Sequence, residues 1–199
     1  MKILEEGFLK RNRNMLLIAL GIFLVFFIAG AVYGYISIGD NAGQITEAMI
    51  NASQSETSNP LAGLDLSSVD LFTHNLGADM LTVLGGLVLS IPSIAMIIFN
   101  ALSLGSLFGM DFTYAVVSVI PHSIIEYPAS VLALSAAFII TKIEIRIIKN
   151  RNFRNTLRES KTELKDILVL IIAIAILLAI ASIIEAHITP RVVFWYFNF

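Results

Sequence analysis

The chain has 199 residues, of which 57% are hydrophobic and 14% charged, with a formal net charge of −2 and no cysteine. Soluble domains carry about 45–50% apolar and about 25% charged residues. The proportions here therefore exclude a disordered chain, argue against a soluble globular domain and leave a membrane protein as the default. The lack of cysteine excludes disulfides, thiolate catalysis, iron–sulfur clusters and zinc fingers, and the near-neutral charge leaves no footprint for nucleic acid.

The basic residues are segregated. Lys2, Lys10, Arg11 and Arg13 open the chain, and Lys142, Arg146, Lys149, Arg151, Arg154, Arg158, Lys161 and Lys165 form a second group, with only Arg191 beyond it. Between Asn14 and Thr141 there is no Lys or Arg. Cytoplasmic loops retain Lys and Arg, so the N-terminus and 142–165 are both predicted on the cytoplasmic side. The acidic stretch with Asp40, Glu47, Glu56, Asp65 and Asp70 is predicted outside.

The first apolar run, 15–38, spans about 36 Å as a helix, too long for the apolar core of a cleaved signal peptide. It is read as a retained span. The outer loop 39–68 contains a plausible helix near 43–52 and the tripeptide Asn51-Ala52-Ser53, which fits the glycosylation pattern. The following apolar region starts outside and ends inside, so parity demands an odd number of crossings. Three crossings fit: 69–91, 93–110 and 113–141, with Pro92 starting one helix and Gly109-Met110-Asp111 forming an outer turn. The uncharged inner turn at Ser90–Ser93 leaves a re-entrant pair as the rival. Segment 142–165 reads as a helix leaving the membrane plus a basic amphipathic connector beside anionic headgroups, and 166–187 as the last span, stopped by Thr189-Pro190. The aromatic tail Phe194-Trp195-Tyr196-Phe197 either anchors at the outer interface or packs on the helices. The expected architecture is all-α: a polytopic transmembrane bundle of about five spans with broken helices near the midplane, N-terminus cytoplasmic and C-terminus extracellular in the cell membrane.

Charged groups at bilayer depth cost roughly 2.5–3.5 kcal/mol on insertion scales and mark candidate sites. The span at 113–141 carries the sharpest group, Pro121-His122-Ser123-Ile124-Ile125-Glu126-Tyr127-Pro128. His122 and Glu126 are four apart and share a face. Counted along one helix from Asp111, Glu126 lies roughly 20 Å deep. Pro121 and Pro128 each free a backbone carbonyl. An imidazole, a carboxylate and loose carbonyls can hold a metal ion or a proton, and Asn100 of the neighbouring span is the expected partner. Asn75, Asp79 and His74 are secondary candidates in the outer half of their span. The alternative is a His–Glu pair that satisfies itself and fixes helix register. No H-E-x-x-H, G-x-S-x-G or phosphate-binding glycine loop occurs, so no enzymatic activity is expected. Gly30-x-x-x-Gly34 and Gly105-x-x-x-Gly109 are small-residue faces suited either to packing within one chain or to a homodimer seam. Together with the short chain they favour a homo-oligomer, with a dimer first.

Several of these residues carry a family likeness. Asn75, Asn100 followed by Ala101 and Gly105, the string Pro121 to Ala129, and Glu185-Ala186-His187-Ile188-Thr189-Pro190 resemble the stage II sporulation protein M family over about 70–190. The family usually has glycine where Ala101 and Ser123 stand. The resemblance implies an all-helical polytopic membrane protein of an archaeal or bacterial cell without sporulation context. The sporulation member is associated with a complex that remodels the cell wall, which implies a membrane or envelope protein partner. Two functions are therefore expected: a transporter- or channel-type protein with an intramembrane polar site, or a non-enzymatic membrane scaffold that recruits partners.

Overall fold

The computed structural model describes residues 7–38 and 67–198, and every regular element among them is a helix. The expected helix near 43–52, the Asn51 tripeptide and the acidic residues before Asp70 lie outside the described residues. The helices are α1 (Phe8–Ile38), α2 (Ser68–Leu84), α3 (Ile91–Met110), α4 (Phe112–Ser118), α5 (Ile120–Asn150), α6 (Phe153–Glu159), α7 (Lys161–His187) and α8 (Thr189–Asn198). Among the described residues, three helical stretches are long and apolar enough to cross a membrane: Phe8–Ser37, Ile91–Met110 and the combined Lys161–Phe197. The 17 residues of α2 reach only about 25 Å. Lipid-type surface is evident from Val25, Phe99, Ile124 and Ile176, which are 62%, 70%, 66% and 56% exposed. A soluble protein of this size avoids such continuous apolar exposure.

The helices meet around α5, whose middle is rich in small residues. Ala129, Ala133 and Ala136 face α2 and α7, packing with Val83, Leu170, Ile174 and Leu178. Val131 and Leu134 face α1 and α3, packing with Ala19, Phe23, Ile97, Ala101 and Leu104. Without a hydrophobic drive between helices in lipid, close approach through small residues supplies the packing energy. The two glycine faces take this furthest. A Cβ at Gly30 would collide with the Leu102 backbone and one at Gly34 with Ser106. One at Gly105 would strike the Phe27 carbonyl, and one at Gly109 the Ala31 carbonyl. The two faces are thus spent on each other inside one chain, and neither is left as a dimer seam.

Helix boundaries follow local chemistry, with several shifts from expectation. Ser67 Oγ accepts from the Val69 N–H at 3.2 Å and starts α2. The inner turn comes earlier than expected: a 3₁₀ turn over Gly85–Val88 is followed by Leu89 and Ser90 in the left-handed region (φ 53° and 56°). Such backbone in bulky residues persists only when held from outside. Here α5 holds it: Glu144 Oε2 accepts from the Leu89 N–H (3.2 Å), and the Ser90 and Thr141 hydroxyls are 2.6 Å apart. Thr141 Oγ1 also donates to the Gly86 carbonyl (2.9 Å). Asp111 is extended and caps α4 by accepting from the Tyr114 N–H (2.9 Å), so it makes the turn between α3 and α4, whereas Gly109 stays within α3 against α1. The expected single span 113–141 divides into α4 and α5 at Val119, with Pro121 in the first turn of α5. Pro128 lies inside α5 without ending it.

The basic connector is ordered into helix. α5 runs on to Asn150, Arg151 turns at φ 50°, and α6 follows behind the Asn152 cap. α7 starts at Lys161, not 166, because its first carboxylates find cations. Arg146 Nη2 lies 2.9 Å and Lys142 Nζ 3.7 Å from Glu163 Oε1. The buried Asp166 accepts two bonds from Arg11 (2.7 and 3.1 Å) and one from Asn12 Nδ2 (2.8 Å). Thr189-Pro190 ends α7 but starts α8, whose Phe197 ring lies 6.1 Å from Tyr114. Trp195 remains 64% exposed on its other side.

Candidate functional site

The first turns of α5 meet the end of α7. His122 and Glu126 then project from one face of α5, as their spacing predicts. The third member of the group is Glu185, two residues before the end of α7. One ligand atom each from His122, Glu126 and Glu185 all lie within 4.8 Å of one another, and the three residues are half-buried. His122 Nδ1 is 3.2 Å from the buried Thr189 hydroxyl, which itself donates to the Ile184 carbonyl (3.3 Å). His122 Nδ1 and the Thr189 hydroxyl are within hydrogen-bond reach, and which of them donates follows the imidazole tautomer. Glu185 Oε2 is enclosed without a hydrogen-bond partner, an acceptor that would normally be satisfied.

Asp79, a secondary candidate from sequence, belongs to this neighbourhood. It is 4% exposed, and Ser130 Oγ donates to its Oδ1 at 2.9 Å while Oδ2 is unpartnered. Its charge reaches Glu126. His74 is exposed at the start of α2 and acts electrostatically on Glu185. Asn75 is half-buried and makes no side-chain hydrogen bond among the described residues. The expected neighbour Asn100 is half-buried on α3, and the structure gives it no hydrogen bond to His122 or Glu126. The partner of the pair comes instead from α7 and the first residue of α8.

The group sits closer to one end of the bundle than the count from Asp111 implied. That count assumed one straight helix, whereas α4 ends at Ser118 and a new helix begins at Ile120. Measured from the cationic end, Glu126 is about 24 Å along α5 from Lys142, and Glu185 about 29 Å along α7 from Asp166. The site therefore lies near the end of the bundle opposite the cations. A separate cleft of about 590 Å³ opens between α1, α3 and α5. Phe23, Phe27, Phe108, Ile124 and Leu132 line it with no charged group, so it is lipid-like surface and not part of the polar site.

Glu185 and Thr189 were not read as site residues from sequence. Their only signal was the Glu185-to-Pro190 string that carried the family likeness; nothing local in α7 tied it to His122.

A family model described as stage II sporulation protein M matches residues 16–190. An uncharacterized protein of Methanocaldococcus jannaschii is 26% identical over 176 residues, covering 85% of this chain and 92% of that one. No solved structure matches.

Proposed function

We infer the function from one premise: the chain belongs to the stage II sporulation protein M family. The three long apolar helices fit an integral membrane protein. We propose that α2 and α5 complete five crossings, with the N-terminus and the α5–α7 connector cytoplasmic and the C-terminus outside. The inner turn supports this, because its bonds to Thr141 and Glu144 put the α2–α3 tip level with Lys142. A full hairpin, not a re-entrant one, reaches the cationic side.

Within that frame the protein is of transport type, holding a cation or proton at His122, Glu126 and Glu185. The observation that carries this reading is the convergence of three ionisable side chains from α5 and α7. Groups of this kind are costly in a membrane and line substrate or ion paths. Placed near the outer end, with His74 at its mouth, the site is accessible from outside. The test is ion flux into liposomes carrying the purified protein. Glu126→Gln keeps shape and removes charge. The expected result is flux reduced at least about tenfold with unchanged folding, since a group made essential by its charge is lost outright. Undiminished flux in this variant, or no flux in the parent, rejects transport and leaves the scaffold reading.

A further inference from the structure

Resting on that site assignment, we propose that the species bound by His122, Glu126 and Glu185 is a divalent transition-metal ion of the zinc class, and that Thr189 is the positioning residue for the His122 ligand. Distances are the first ground. Zinc binds His nitrogen and carboxylate oxygen at about 2.0–2.2 Å, so tetrahedral ligands of one ion stand about 3.4 Å apart. The three ligand atoms lie within 4.8 Å of one another. Side-chain rotation that draws them together by at most about 1.4 Å reaches that spacing.

The donor set is the second ground. One imidazole with two carboxylates suits zinc, iron or manganese. Calcium demands six to eight oxygens, and magnesium keeps most of its waters; neither gains from an imidazole nitrogen. A single proton neutralises one carboxylate and leaves the other charged, whereas a divalent ion neutralises both. Three protein ligands also leave a coordination position for water or for exit.

The third ground is the hydrogen bonding of the ligands. Glu185 Oε2 is enclosed with no hydrogen-bond partner, an acceptor that coordination would satisfy. The Thr189 hydroxyl, which also reaches the Ile184 carbonyl, stands 3.2 Å from His122 Nδ1, where it can accept from Nδ1–H and leave Nε2 for a metal ion. Metal-bound histidines depend on such an outer hydrogen bond, and its loss weakens metal affinity by about 10–100-fold. Asp79, one carboxylate further in and acting on Glu126, adds negative potential behind the ion.

The experiment uses the tag-free full chain purified in detergent, stripped of metal and titrated with Zn²⁺, Mn²⁺, Mg²⁺ and Na⁺ against a competing chelator dye, with bound metal counted by mass spectrometry. One Zn²⁺ per chain is expected, with no measurable Mg²⁺ or Na⁺. Glu126→Gln and Glu185→Gln should abolish it. Thr189→Val should weaken Zn²⁺ binding about 10–100-fold with unchanged metal-free unfolding temperature, and Thr189→Ser should restore it. Equal binding of Mg²⁺, or Zn²⁺ binding that survives both glutamine variants, overturns the proposal. So does Thr189→Val binding like the parent, for the positioning role. Because no flux is measured, the two readings fail separately. A chain that binds no metal but loses proton flux on Glu126→Gln keeps the transport reading and refutes this one. A chain that binds zinc and moves nothing supports the metal site and refutes transport.

Discussion

Replacing Gly105 by Ala adds one carbon where the Phe27 carbonyl already stands, with the Ala31 nitrogen 2.9 Å from the new atom. Both obstacles are backbone, so no side-chain rotation relieves them. Restoring ordinary contact moves α1 from α3 by about 1 Å, and a gap of that size forfeits about a quarter to a half of each atom–atom attraction. For about 30 atom pairs at about 0.15 kcal/mol each, the loss is about 2 kcal/mol, within the about 1–3 kcal/mol typical of overpacking. Gly21 lies on the facing helix, α1, with nothing within 4 Å of an added Cβ. Gly21→Ala should therefore be neutral, or stabilising by up to about 1 kcal/mol through helix propensity. The assay is denaturant unfolding of both variants in one detergent, read by intrinsic Trp195 fluorescence and by circular dichroism. Their difference cancels the propensity gain and isolates the clash. Equal stability of Gly105→Ala and Gly21→Ala would refute the tight glycine packing of α1 on α3.

Asp166→Ala leaves the Arg11 guanidinium and Asn12 amide without their shared acceptor. Arg11 is 36% exposed and can turn to water, so the expected cost is about 2 kcal/mol, below the about 3–5 kcal/mol of a fully buried broken pair; thermal unfolding measures it, and no change would show the clasp to be idle. Glu163→Gln should cost under about 1 kcal/mol and lose even that in high salt, because Lys142 and Arg146 meet it at a solvated surface. Single cysteines at Ser53 and Arg154 in this cysteine-free chain should label from opposite sides of a sealed vesicle; labelling from one side would overturn the five-crossing topology.

Much of the helix punctuation was legible because it is local. Pro92 begins α3, and Asp111 caps α4, as short-range rules require. The His122–Glu126 face was legible for the same reason, since four residues make one turn. The glycine faces were visible as faces, but which partner they meet is a tertiary fact; here each found the other. What sequence spacing cannot carry is a contact between distant helices. Glu185 joins His122 across 63 positions, and in the apolar run of α7 it read as a terminus marker. The start of α7 was misplaced for a related reason. Lys161 to Asp166 reads as the end of a basic connector until Arg146, Lys142 and Arg11 are brought alongside its acids. The depth of Glu126 was counted along one helix from Asp111, whereas the structure divides 113–141 into two helices at Val119.

The Arg11–Asp166 clasp joins positions 155 residues apart, and this sets a clock on biogenesis. At translation rates of about 5–20 residues per second, Asp166 emerges from the ribosome about 8–31 s after Arg11. For that interval Arg11 lacks its bond to Asp166, and the N-terminal cations can stay with anionic lipid headgroups that hold the first helix in its insertion orientation. Its glycine face waits a shorter time, until 91–110 is made. The newborn chain thus acquires its packing contacts first and its electrostatic closure last, and a nascent chain arrested before residue 166 would be inserted but still unlatched.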